Sequence, residues 1–182
     1  VEFKGCGVLL AAKGGSGKST CCRRLPENWR AWCDDESLVA RDVARGYVAH
    51  PFPTWSHYLD EEGVRTWFTE MAIPLRAIFF LEQAADDGVV PLPAFEAAMW
   101  LYHSVYPVYQ RQFGKQLREV EKHSFNTRLF NNACDLARTV PAYVLQVSLN
   151  GRFWEEIEGV LGKKILTKDL GWNRKCCFET EN

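Results

Sequence analysis

The sequence lacks the features that would place the chain in a membrane or on nucleic acid. No apolar run among its 182 residues is long enough to cross a bilayer, and no signal peptide is recognisable. The 22 lysines and arginines nearly balance the 23 aspartates and glutamates, and no basic cluster marks a nucleic-acid-binding face. We therefore expect a cytoplasmic protein that binds neither a membrane nor nucleic acid.

The cysteines also lack the spacing of a metal site. None of the seven belongs to a Cys-x-x-Cys pair, which argues against structural zinc. Their odd number and two adjacent pairs do not resemble a disulfide framework, so we expect reduced thiols. The sequence contains no internal repeat and no low-complexity linker. The seven cysteines are Cys6, Cys21, Cys22, Cys33, Cys134, Cys176 and Cys177.

The composition is that of one globular domain. Hydrophobic residues make up 47% of the chain and charged residues 25%, which suffices for a substantial core. We expect a single domain over residues 1–162 and a tail over 163–182, where the pattern weakens. The chain begins with Val1 instead of methionine, as a fragment of a longer protein would. The sequence leaves open whether the chain forms a homo-oligomer.

The chain is organised around a glycine-rich stretch near its start. The apolar run Val8–Ala11 leads into Gly14-Gly15-Ser16-Gly17-Lys18-Ser19-Thr20, a predicted strand, loop and helix start. This is the layout of a phosphate-binding P-loop, in which glycines let backbone N–H groups turn toward one point. The following helix directs its positive end at the same point.

Two side chains of this stretch have predicted roles. Lys18 would contact the β- and γ-phosphates of ATP, and the Ser19 hydroxyl would bind Mg²⁺. The strict pattern has glycine at position 12, where this chain has Ala12, but the Gly-Ser-Gly-Lys-Ser-Thr core is intact. We therefore predict nucleotide binding by Gly14, Gly15, Ser16, Gly17, Lys18, Ser19 and Thr20.

An acidic run that follows the loop would lie within reach of a metal ion and of an attacking hydroxyl. Asp34-Asp35-Glu36 comes directly after a predicted strand, Arg30–Cys33, whose carboxyl end should face the same crevice as the loop. Phosphoryl transfer needs one carboxylate on magnesium and one that accepts the proton of the nucleophile. We predict Asp34 as the base and Asp35 nearer the metal, although these two roles could be exchanged.

The remaining pattern predicts an α/β protein. We expect a hairpin at Val1–Ala11, another at 38–49, a buried strand at Leu75–Leu81 and a strand at Ala142–Ser148. Segment 50–57 should be a loop or edge in which His50 is a candidate substrate contact. The predicted helices are 18–25, 93–104 with Phe95, Met99 and Tyr102 inward, 107–123 with a weak point at Gly114, 125–138 and 152–161. Residues 93–138 could cap the crevice.

The N-terminal motifs resemble those of the HPr kinase/phosphorylase group. The turn Gly5-Cys6-Gly7, the strand and loop through Ser19, and Trp32-Cys33-Asp34-Asp35 match that family's glycine turn, phosphate loop and Ala-Asp-Asp segment. The resemblance implies a phosphoenolpyruvate-carboxykinase-like nucleotide fold, with a mixed sheet and helices packed on it. Segments 74–81 and 130–148 are similar to the short HPr-kinase-related proteins found with bacterial peptide-modification genes.

The resemblance implies an ATP- and Mg²⁺-dependent kinase. Its acceptor would be a hydroxyl group, preferably that of a serine, on a peptide, a protein or a small molecule. The catalytic residues would be Asp34, Asp35 and Lys18. The family's Arg-Gly-Leu-Gly signature is absent, and its upstream histidine would precede Val1, so we do not expect HPr itself as the substrate.

Two other classes remain open from the sequence. A nucleotide-binding sensor or assembly protein would bind ATP without transferring phosphate. A small-metabolite kinase would need an arginine-rich lid, for which Arg111 and Arg118, seven residues apart on one predicted helix, or Arg128 are candidates.

Overall fold

A computed structural model describes residues 1–33, 35–52, 70–114 and 116–166. These residues form an α/β fold with eight strands and four helices. In chain order the elements are β1 (Glu2–Phe3), β2 (Cys6–Ala11), α1 (Lys18–Arg24), β3 (Trp29–Arg30), β4 (Ser37–Asp42), β5 (Gly46–Pro51), β6 (Ile73–Gln83), β7 (Gly88–Leu92), α2 (Ala94–Gln112), α3 (Glu119–Thr139), β8 (Ala142–Val147) and α4 (Phe153–Leu166).

Strand β6 is the centre of the mixed sheet. It pairs in parallel with β2 on one side and with β8 on the other, while its first residues pair antiparallel with β5. Its residues from Ala77 to Phe80 are at most 4% exposed. Side chains alternate along a strand, so Ile78 and Phe80 face one layer and Ala77 and Phe79 the other. A strand covered on both faces is nearly all apolar, which confirms the buried strand predicted at 75–81.

Helices cover both faces of this sheet. The cluster that contains Ile78 and Phe80 packs against α2 and α3 through Ala98, Leu101 and Ala137. The opposite cluster packs against α1 and α4, where Phe153 and Ile157 are fully buried. No helix in the described ranges is long and apolar enough to cross a bilayer.

Both predicted hairpins are present. Strands β1 and β2 pair antiparallel around a turn in which Lys4 and Gly5 have φ of 49° and 74°. Strands β4 and β5 pair from Ser37 opposite Pro51 to Asp42 opposite Gly46. The strand predicted at 142–148 is also confirmed as β8.

Two strand predictions were incomplete. The strand predicted at 30–33 was wrong beyond Arg30, because β3 ends there at the sheet edge beside β1, and the acidic run therefore does not directly follow a strand. The region 82–90, in which we predicted no strand, contains the end of β6 and the start of β7. Strand β7 pairs antiparallel with β8, and this long-range partner has no counterpart in local sequence pattern.

The helices between 94 and 139 are divided differently from the prediction. The predicted helices 93–104 and 125–138 are confirmed as parts of α2 and α3, and α2 ends just before the predicted weak point at Gly114. The predicted break before Pro107 was wrong, because α2 continues through this proline. Phe95 is 75% exposed, so its predicted inward position was wrong, whereas Tyr102 packs against the core cluster together with the buried Ala97 and Ala98. Arg118 begins α3, where it caps the helix with Glu121, so it does not share a helix with Arg111.

Candidate functional site

The glycine-rich loop joins the end of β2 to the start of α1. Gly15 and Gly17 have φ of 77° and 94°, in the left-handed region that glycine enters without strain. A methyl group placed on Gly14, Gly15 or Gly17 would meet no atom within 4 Å, so the loop backbone is open on the side of these hydrogens. Because α1 has only seven residues, we assign anion binding to the loop amides more than to the helix dipole.

Lys18 lies across the loop that precedes it. Its ammonium group donates hydrogen bonds to the carbonyl oxygens of Ala12 at 2.9 Å and Lys13 at 3.2 Å. These contacts place one positive charge at the mouth of the loop. They also explain why Ala12 is compatible with the motif, since position 12 contributes a carbonyl and does not adopt a positive φ.

The loop opens into a cavity of about 730 Å³, a size common for small-molecule sites. One side is formed by β2 and the loop, including Lys13, Gly14 and Lys18, and another by Asp35 and the residues after it. Helices α2 and α3 form the remaining side. The cavity therefore brings the predicted Gly14, Lys18 and Asp35 together. Ser16, Ser19 and Thr20 lie in the loop and the first turn of α1 beside them.

The acidic segment lies beside the same cavity. Asp34 falls outside the described residues, while Asp35 is exposed and lines the cavity. Glu36 accepts a hydrogen bond from the guanidinium of Arg111, which ties the segment before β4 to the end of α2. Both residues line the cavity, and their ion pair joins two parts of the chain 75 residues apart.

His50 lies in β5 directly opposite Leu38 of β4. It is half-buried, and the described residues that line the cavity do not include it. Its prediction as a substrate contact therefore gains no support from the geometry. The histidine that does line the cavity is His103 of α2.

Sequence reasoning expected a helical cap over 93–138 and named Arg111 as a candidate lid residue, but it missed His103 and Tyr109 as residues that line the cavity. Helices α2 and α3 present His103, Tyr109 and Arg111 to the cavity, among other residues. The sequence signal was the run of aromatic residues between 100 and 113, of which we had assigned only Tyr102 to an inward stripe. Helical spacing alone does not distinguish a core stripe from a cavity wall, because both are apolar.

Arg24 connects α1 to the segment before α4, on the face of the sheet that both helices cover. Its guanidinium donates hydrogen bonds to the carbonyl oxygens of Ser148 and Gly151 and lies 5.2 Å from the centre of the Phe153 ring. Ser148 and Gly151 directly precede α4, so these hydrogen bonds connect α1 to the start of α4. Such anchoring limits movement of the loop and favours a preorganised anion site.

The thiols near the site differ in environment. Cys22 and Cys33 line the cavity, whereas burial raises the pKa of the Cys21 thiol above its ordinary value.

Among the described residues no group of three or more His, Cys, Asp or Glu side chains is placed to hold a metal ion. A magnesium ion bound with nucleotide commonly uses one or two protein ligands together with phosphate oxygens and water. Ser19 and Asp35 would suit that limited role.

A comparison with protein families matches residues 1–162 to the family described as SynChlorMet cassette protein ScmC. Comparisons with curated proteins and with solved structures gave no match.

Proposed function

The chain belongs to the ScmC family. We propose that it is an ATP-dependent kinase that phosphorylates a hydroxyl group of a peptide or protein, preferably the hydroxyl of a serine. The observation that carries the proposal is the shared cavity of the glycine loop, Lys18 and Asp35. A loop that cradles phosphates and a nearby carboxylate are the two protein parts that phosphoryl transfer requires.

In the proposed reaction the loop, Lys18 and the acidic pair have separate roles. The loop amides and Lys18 hold the β- and γ-phosphates, and a carboxylate of the Asp34-Asp35 pair accepts the proton of the acceptor hydroxyl. A bond forms between the acceptor oxygen and the γ-phosphorus while the bond to the bridging oxygen breaks, leaving ADP. Magnesium, held by Ser19 and Asp35, would neutralise charge on the phosphate oxygens.

We further propose that the fold is of the HPr kinase/phosphoenolpyruvate-carboxykinase type. Support comes from the β1–β2 hairpin that leads directly into the loop, and from the hairpin β4–β5 that follows the acidic segment. The same arrangement would make α2 and α3 a helical cap on the crevice, since both helices line the cavity.

The test is transfer of labelled γ-phosphate from Mg·ATP to serine peptides. We expect phosphopeptide with the wild type, at least a hundred-fold less with Lys18→Ala, and a loss of similar size with Asp34→Asn or Asp35→Asn. Asp86→Asn is the matched control, because Asp86 is exposed in the turn before β7. Unchanged transfer in the Lys18 and Asp34 variants would refute the mechanism. ATP binding without any transfer would favour the sensor alternative.

A further inference from the structure

The cavity has an apolar wall opposite the phosphate loop. Tyr109 and Phe113 at the end of α2 and Phe125 on α3 form this wall, which we call the aromatic wall. The rings of Tyr109 and Phe125 stack with centroids 3.9 Å apart and planes inclined by 8°. Leu101, Val105, Val108 and Leu129 extend the wall.

The aromatic wall and the acidic segment line the same cavity, and an ion pair connects the two sides. Arg111 is two residues from both Tyr109 and Phe113, and its guanidinium is bonded to Glu36, the neighbour of Asp35. Two residues span only about 3 Å along a helix axis but project about 200° apart, so this ion pair places the end of α2, and not the rings themselves, beside the acidic segment. The acceptor hydroxyl must also approach from that segment if Asp34 or Asp35 accepts its proton.

Tyr109 carries an unused polar group in this wall. Its side chain is 3% exposed, and among the described residues its hydroxyl has no hydrogen-bond partner. A buried hydroxyl without a partner is unfavourable, so a ligand that supplies one gains affinity. This hydroxyl can donate to a peptide carbonyl or accept from a peptide N–H.

We propose that the aromatic wall selects the acceptor: a peptide in which the serine is flanked by a large apolar residue. This inference rests on the proposed kinase function. The flanking side chain packs on Phe113 and its neighbours, while the Tyr109 hydroxyl bonds the peptide backbone. These contacts hold the serine hydroxyl between the acidic segment and the phosphate loop.

The test measures binding of fluorescent octapeptides to the full chain with Mg·ADP present. Each peptide has one serine, flanked by alanine, leucine, phenylalanine or glutamate. Phe113→Ala and Phe95→Ala are a matched pair, since both remove an exposed phenylalanine at either end of α2 and only Phe113 lines the cavity. Tyr109→Phe removes the unpartnered hydroxyl, and its Tm is measured in parallel. Binding of Mg·ATP is measured separately by calorimetry.

We expect the wild type to bind the phenylalanine- and leucine-flanked peptides about ten-fold more tightly than the alanine-flanked one. Phe113→Ala should lose most of this preference and Phe95→Ala none of it, while Tyr109→Phe weakens all peptides without a lower Tm. Equal binding of all peptides, or no binding of any, overturns the inference. Weaker ATP binding by Phe113→Ala with an unchanged peptide preference also overturns it, because the wall would then hold the base. Failure of the wild type to bind Mg·ATP instead refutes the kinase proposal.

Discussion

Replacing Gly14 by alanine should separate stability from nucleotide binding. Unlike Gly15 and Gly17, Gly14 does not have a positive φ, and an added methyl group meets no atom within 4 Å. Alanine should therefore stabilise the fold by about 0.4–1 kcal/mol, because it restricts the unfolded chain. For a chain of this size that corresponds to a Tm higher by roughly 1–4 °C.

The same methyl group should weaken binding of Mg·ATP at least ten-fold. It would project into the open space at the loop, where a phosphate oxygen must come within about 3 Å of a backbone nitrogen. Gly159→Ala on α4 is the control, since this position is equally open and lies away from the cavity. It should raise Tm without changing the affinity. Calorimetric titration and thermal unfolding measure both quantities, and a Gly14→Ala protein that binds ATP like the wild type would refute the assigned loop geometry.

Two further predictions concern cysteine reactivity and acid stability. Mg·ATP should protect the cavity thiols Cys22 and Cys33 from alkylation, read by mass spectrometry, but not Cys134; equal labelling with and without nucleotide would contradict the site. The Arg45 guanidinium bonded to Asp42 holds the pKa of that carboxyl below its usual range, so its stabilisation exists above the ordinary pKa and is lost as pH falls through the folded value. Asp42→Asn should therefore lower Tm at pH 7 and lower it progressively less as the pH falls below the ordinary pKa of an aspartate, and an equal loss at every pH would exclude the charge as the cause.

The elements that local sequence predicted are those with a strong local signal. The loop from Gly14 to Lys18 is specified by its own glycines, and β6 by an apolar run that only a strand buried on both faces requires. The hairpin β4–β5 is likewise closed by a local turn at Asp42, whose carboxylate accepts hydrogen bonds from the backbone N–H groups of Ala44 and Arg45.

The missing parts depend on contacts distant in sequence. Strand β7 exists because its edge pairs with β8, and α2 continues through Pro107 while Tyr109 stacks on Phe125 of α3. Local propensity alone would have ended the helix at the proline. The ion pair between Arg111 and Glu36 was not predictable for the same reason, since the two residues lie 75 positions apart.

Calorimetric titration with Mg·ATP tests most directly the claim that the glycine loop is a nucleotide site. The account predicts saturable binding by the wild type, affinity at least ten-fold weaker for Lys18→Ala, and unchanged affinity for Lys122→Ala on α3. No binding by the wild type, or equal affinities for the wild type and Lys18→Ala, would contradict it.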